Sequence, residues 1–161
     1  MAGLGLLLLR LALALVFVAH GANILFGILP GPGVGPGGLQ FTADQYAALG
    51  LHPQFLLAVL AGATQLIGGL LIGLGLLTRI ASGALVLYLC VGIWKAHLQW
   101  GFFLNWVHAT HQGHGVEYSL ILSAALVCFL LTGGGDWSLD GRRLNSRVSR
   151  AAGRARLRGK M

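Results

Sequence analysis

The chain has 161 residues, of which 56% are hydrophobic and only 9% charged. Soluble domains carry about 25% charged residues, so the composition excludes an ordinary soluble globule and points to a single compact integral membrane unit. The net charge of +7 belongs to a tail, because eight of the eleven basic residues lie between Arg142 and Lys160.

The first predicted span runs from Leu4 to Ile28, longer than the ~20 apolar residues that a crossing needs. It contains two ionisable side chains, Arg10 and His20. A signal peptide has a basic leader and a shorter apolar run, so this segment is read as a span that stays in place. Leu29–Gly38, LPGPGVGPGG, is too rich in Pro and Gly for a helix. A short helix is expected next, with Thr42 as N-cap, Asp44 in the first turn and Gly50 as the stop.

The second span covers residues 54–77. Ala61, Gln65, Gly69 and Gly73 form a ladder of mostly small side chains that lets another helix approach closely, with Gln65 on the same packed face. Thr78-Arg79 is read as a tight turn into an antiparallel third span, residues 80–96. Tyr88 and Lys95, seven apart, share one face of that span. Trp94, Trp100 and Trp106 mark the next membrane boundary as an aromatic belt. The connector His97–Gly115 is aromatic and rich in histidine, and its WGFFLNW run is amphiphilic enough to lie in the interface. The fourth span covers residues 116–132, with Glu117 just inside its start and Ala124 and Cys128 on the same face. Residues 142–161 form a basic tail, disordered or lying on anionic lipid.

The fold expected is an all-α, integral membrane, antiparallel four-helix bundle over residues 1–141, capped on the extracytoplasmic side by the two long connectors. The positive-inside rule places Arg79, the tail and both termini in the cytoplasm. Cys90 and Cys128 differ in expected depth by ~9 Å at helical rise, too far for a disulfide. This argues against a four-helix thiol oxidoreductase of the vitamin K epoxide reductase type.

In this order and spacing the residues resemble the DoxX family of small four-helix membrane proteins over nearly everything but the tail. The pieces are Arg10, His20-Gly21 with Leu25-Phe26-Gly27, Gly68-Gly69 with Gly73–Arg79, Ala96-His97, Glu117, and Gly135 with Ser138-Leu139-Asp140. Two departures stand out: family members often have lysine where this chain has Ile24, and glutamate where it has Gln65. An ion pair lost as a pair explains both, since a buried pair is exchanged for neutral groups more cheaply than one partner is removed. Ile24 and Gln65 are then expected to approach each other. The resemblance implies a bacterial cytoplasmic membrane and subunits of membrane oxidoreductase systems, such as thiosulfate:quinone oxidoreductase assemblies and complexes tied to thiol and superoxide defence. The neutral residue at position 65 puts any proton chemistry of that glutamate in doubt here.

The candidate chemistry is spread along the chain. Arg10, ~9 Å inside the first helix, either snorkels or bonds a carbonyl, or contacts an anion or quinone oxygen. His20 is ~15 Å further along and either bonds a neighbouring helix inside the bundle or exchanges protons with a ligand. Glu117 either pairs with Lys95 or accepts a proton beside His20. His108, His111 and His114 step by three toward Glu117, and two of them with His97, His20 or Glu117 could chelate zinc or copper. Gly113 and Gly115 weaken a helical arrangement there, so a polar loop or a partner surface is the competing reading. No haem, flavin or secure metal motif is present, and quinone is the cofactor considered. GPGVGPGG follows a membrane helix and is broken by proline, so it is not a dinucleotide loop. The tail lacks aromatics after Trp137 to stack on bases, so nucleic acid is not an expected partner. Three functions follow: an accessory subunit of a membrane oxidoreductase or electron-transfer assembly that contacts quinone and binds other subunits, a stand-alone quinone-linked oxidoreductase using His20, Arg10 and Glu117, or a metal-handling membrane protein.

Overall fold

The computed structural model describes residues 2–29, 35–107, 109–110 and 112–142. The expectations for His108, His111 and the basic tail beyond Arg142 lie outside them. Among the described residues five α-helices follow one another: α1 (Ala2–Phe26), α2 (Leu39–Ala48), α3 (Gln54–Leu74), α4 (Thr78–Gly92) and α5 (Glu117–Thr132). A π turn, Ile93–His97, and a 3₁₀ turn, Leu98–Trp100, prolong α4. Among the described residues there is no β-strand. Three segments of the described residues are long and apolar enough to cross a membrane: Gly3–Phe26, Gln54–Leu74 and Thr78–Trp100. In lipid the backbone must pair within itself, which selects helix for such segments. The 16 residues of α5 are as apolar but reach only ~24 Å at helical rise.

Close backbone contact joins α1 and α3, which run antiparallel. A Cβ added to Gly21 would stand 2.3 Å from the Leu66 nitrogen, one on Gly69 would stand 2.9 Å from the Val18 nitrogen, and one on Gly73 would stand 2.9 Å from Ala14 Cβ. Gly62 lies under Ile24 and Leu25. The seam is therefore Gly62, Leu66, Gly69 and Gly73, not the expected run at strict four-residue spacing. Four residues turn a helix by ~400°, so such a run drifts ~40° per step. By Ala61 the drift has left the α1 face, and Gly62 takes the contact. Without a hydrophobic drive between helices in lipid, this close van der Waals packing holds the pair together.

On another face of α3, Gly68 receives Leu85 of α4, where a Cβ would lie 3.0 Å from Leu85 Cγ. Leu85, Leu89, Leu126 and Phe129 bury the α4–α5 contact, and Leu13, Phe17 and Ile72 complete the core.

Two boundaries differ from expectation. The α3–α4 turn is Gly75–Leu77, and Thr78-Arg79 opens α4. Gly75 takes a left-handed φ of 65°, and Leu76 N–H bonds Leu71 O at 3.0 Å, a Schellman-type stop that ends α3 early. The short helix begins at Leu39, three residues before the expected Thr42 cap, because Gly38 at φ 89° supplies the entry turn. Thr42 sits inside it, its hydroxyl turned back to Gly38 O at 3.1 Å. Asn23 O accepts N–H bonds from both Gly27 (2.9 Å) and Gly38 (2.8 Å), which ties the end of α1 to the start of α2.

Candidate binding groove

Above the Gly68–Leu85 contact the facing side chains of α3 and α4 become small: Ala61, Thr64 and Ala84. They leave a groove of about 460 Å³ between the helices, with Tyr46 of α2 over it. Its walls are apolar, including Leu57, Leu60, Leu87 and Val91, and its polar groups are Tyr46, Thr64, Tyr88, Lys95 and His97. Leu60, Leu87 and Val91 are also exposed sideways. Lys95, Ala96 and His97 sit on the π turn. Such turns often mark functional sites, since the extra residue re-aims the side chains that follow. Tyr88 and Lys95 line the same groove, as their spacing predicts.

The Tyr46 and Tyr88 phenols come close at the groove, and Gln65 lies beside Tyr88. Burial pushes the Tyr46 phenol above its ordinary range, an effect partly offset by the nearby Tyr88 hydroxyl. Gln65 is 4% exposed, and its Nε2 has no hydrogen-bond partner. His97 Nδ1 lies 2.9 Å from His114 O. A carbonyl only accepts, so Nδ1 carries the proton and Nε2 of the neutral ring keeps its lone pair. Lys95 Nζ rests 4.2 Å from the Trp94 ring centroid, a cation–π contact. The groove therefore combines an apolar channel with hydroxyl donors, an imidazole acceptor and an ammonium, a set suited to a small oxygen-bearing head on an apolar tail.

The other predicted residues lie elsewhere. Arg10 is 2% exposed at the opposite end of α3. Its Nη1 donates to Gly134 O at 2.9 Å and Nη2 to Trp137 O at 3.1 Å. It bonds carbonyls rather than an anion. His20 is exposed, not turned into the helix packing, because the neighbouring Gly21 takes the α3 contact. Arg10, His20 and Glu117 are thus not gathered into one site. Glu117 makes no ion pair with Lys95; its backbone N–H donates to Phe102 O at 2.9 Å. His114 Nδ1 accepts the Asn105 N–H at 3.2 Å. Among the described residues no three His, Cys, Asp or Glu side chains gather as a metal site. Ile24 packs on Gly62, one helical turn from Gln65.

Three residues carry roles that the sequence reading missed. The Asp140 carboxylate accepts Leu77 N–H (3.0 Å), Thr78 N–H (2.9 Å) and Thr78 Oγ1–H (2.9 Å), which caps α4 from the far end of the chain. Asn105 organises the connector, bonding Ala109 N and O and Gln112 O. Tyr46 covers the groove. The available signals were one of two acidic residues just ahead of a basic end, one amide in an aromatic run, and one tyrosine on a short helix between glycines.

The DoxX family model matches residues 5–98. That stretch takes in all but the first residues of α1, all of α2, α3 and α4, and the π turn. An uncharacterized membrane protein, Rv3486, of Mycobacterium tuberculosis (strain ATCC 25618 / H37Rv) is 29% identical over 150 residues, covering 91% of this chain and 85% of that protein. No solved structure matches the chain. With more than half its length matched, and with the glycine seam and Arg10 anchor built from the residues that carry the resemblance, the chain belongs to the DoxX family of membrane proteins.

Proposed function

We propose that this protein is an accessory subunit of a membrane oxidoreductase assembly, and that the α3–α4 groove holds the head of a membrane quinone. The observation that carries this reading is the pairing of an apolar groove, open sideways to lipid, with the Tyr46, Tyr88 and His97 hydrogen-bonding groups. A quinone ring offers oxygens to such groups, and its isoprenoid tail continues among leucines. In this reading α5 completes a fourth span, the connectors cap the extracytoplasmic side, and both termini and Arg79 face the cytoplasm of a bacterial inner membrane. The apolar outer faces of α1 and α5 contact lipid and partner subunits.

The test is purification in mild detergent, followed by identification of co-purifying proteins and extracted quinones. Wild-type protein is expected to retain quinone. Ala61→Phe, which fills the groove, and Tyr88→Phe, which removes a hydroxyl, are expected to reduce it several-fold with helical content unchanged. A wild type without quinone, or retention unchanged in both variants, overturns the reading.

A further inference from the structure

We propose that His97 selects the reduced form of the ligand: its ring offers the groove an acceptor and no donor, so it takes the hydroxyl of a quinol and sets a lone pair against the oxygen of a quinone. The inference rests on reading the groove as a quinone site and adds which redox state that site prefers.

His97 lines the groove at the end of the π turn. Its Nδ1–H donates to His114 O at 2.9 Å, so a backbone carbonyl, which only accepts, fixes the tautomer. Nε2 is then the ring atom left for a ligand, and among the described residues nothing bonds it. The residue that supplies this carbonyl is itself braced. His114 Nδ1 accepts Asn105 N–H at 3.2 Å, and the Asn105 side chain bonds Ala109 N and O and Gln112 O. The connector thereby sets, from outside the groove, which ring nitrogen carries the proton.

The other polar side chains of the groove can all donate: the phenols of Tyr46 and Tyr88, the Thr64 hydroxyl and the Lys95 ammonium. His97 Nε2 is the one that only accepts. A quinol hydroxyl both donates and accepts, so a quinol satisfies both kinds of partner. A quinone oxygen only accepts, so in its place Nε2 is covered by the ligand with no proton to share. An acceptor covered and left unbonded loses its hydration without return. The position also suits a polar head. His97 lies between Trp94 and Trp100, near the end of the apolar segment Thr78–Trp100, and Leu60 and Leu87 line the groove toward the membrane interior, where an isoprenoid tail belongs.

Equilibrium binding of a decyl-tailed benzoquinol and of the matching benzoquinone to the full chain in lipid nanodiscs, with oxygen excluded, tests the preference. Wild-type protein is expected to bind the quinol about fivefold more tightly, the effect of one hydrogen bond. His97→Leu removes the acceptor and should lower quinol affinity about fivefold with quinone affinity unchanged. His97→Gln should bind both forms equally, since an amide turns either its oxygen or its NH₂ to the ligand. Equal binding of the two forms by wild type, a quinol preference that survives in His97→Leu, or equal weakening of both forms in that variant overturns the inference and leaves the groove a quinone site. A wild type that binds neither form overturns the groove reading and this inference with it.

Discussion

Arg10, near the start of the chain, and Asp140, near its end, close one corner of the fold between them. Arg10 holds the carbonyls of Gly134 and Trp137, and Asp140 caps the first turn of α4. Asp140 is near enough for its charge to act on the guanidinium. Gly75, which must lack a side chain because its Cβ would meet Arg10 Nη1 and Ser138 Cβ, sits between them, and its carbonyl accepts Asp140 N–H at 2.9 Å.

Removing the guanidinium leaves two carbonyls without donors. Arg10→Met is expected to lower stability by about 3 kcal/mol, the scale of two hydrogen bonds to a charged group. Arg10→Lys should recover only part of this, since an ammonium does not present the planar fork. Thermal unfolding in detergent micelles reads both.

At the other half of the corner, Asp140→Ala should cost about 1–2 kcal/mol as a lost helix cap. Asp140→Asn, which keeps one acceptor oxygen, should cost less. Equal losses for Asn and Ala would show that the carboxylate acts through charge and not as an acceptor for the N–H groups of Leu77 and Thr78.

The α1–α3 seam makes a paired prediction. Gly21→Ala places a methyl 2.3 Å from the Leu66 nitrogen and should destabilise by about 1–3 kcal/mol or more. Gly5→Ala meets nothing within 4 Å and should be neutral or stabilising by up to ~1 kcal/mol through helix propensity. Unfolding of the two variants side by side separates packing from propensity.

The missing charges at positions 24 and 65 make a fourth. Gln65→Glu alone places an unpaired charge in a buried site, at an expected cost of about 3–5 kcal/mol, and Ile24→Lys alone places one at the Gly62 contact. The double variant should recover much of it, a coupling on the order of 1–3 kcal/mol in a double-mutant cycle. Additive losses would show that the two positions do not form a pair.

What the sequence determined alone is what depends on local pattern. Apolar length set the three long helices. Small residues marked α3 as the packing centre, and the spacing of Tyr88 and Lys95 put them on one face. Arg10, a lone charge in a span, was legible as an anchor. Which residues meet across space was decided only by the tertiary structure. Helical drift moved the seam from Ala61 to Gly62 and turned His20 outward beside Gly21. The groove could not be read from any one segment, because it is volume left where Ala61, Thr64 and Ala84 face each other. The same holds for Asp140: a cap on Thr78 supplied by the far end of the chain exists only after the helices have packed, since N–H groups at a helix start donate to any acceptor that the fold brings near.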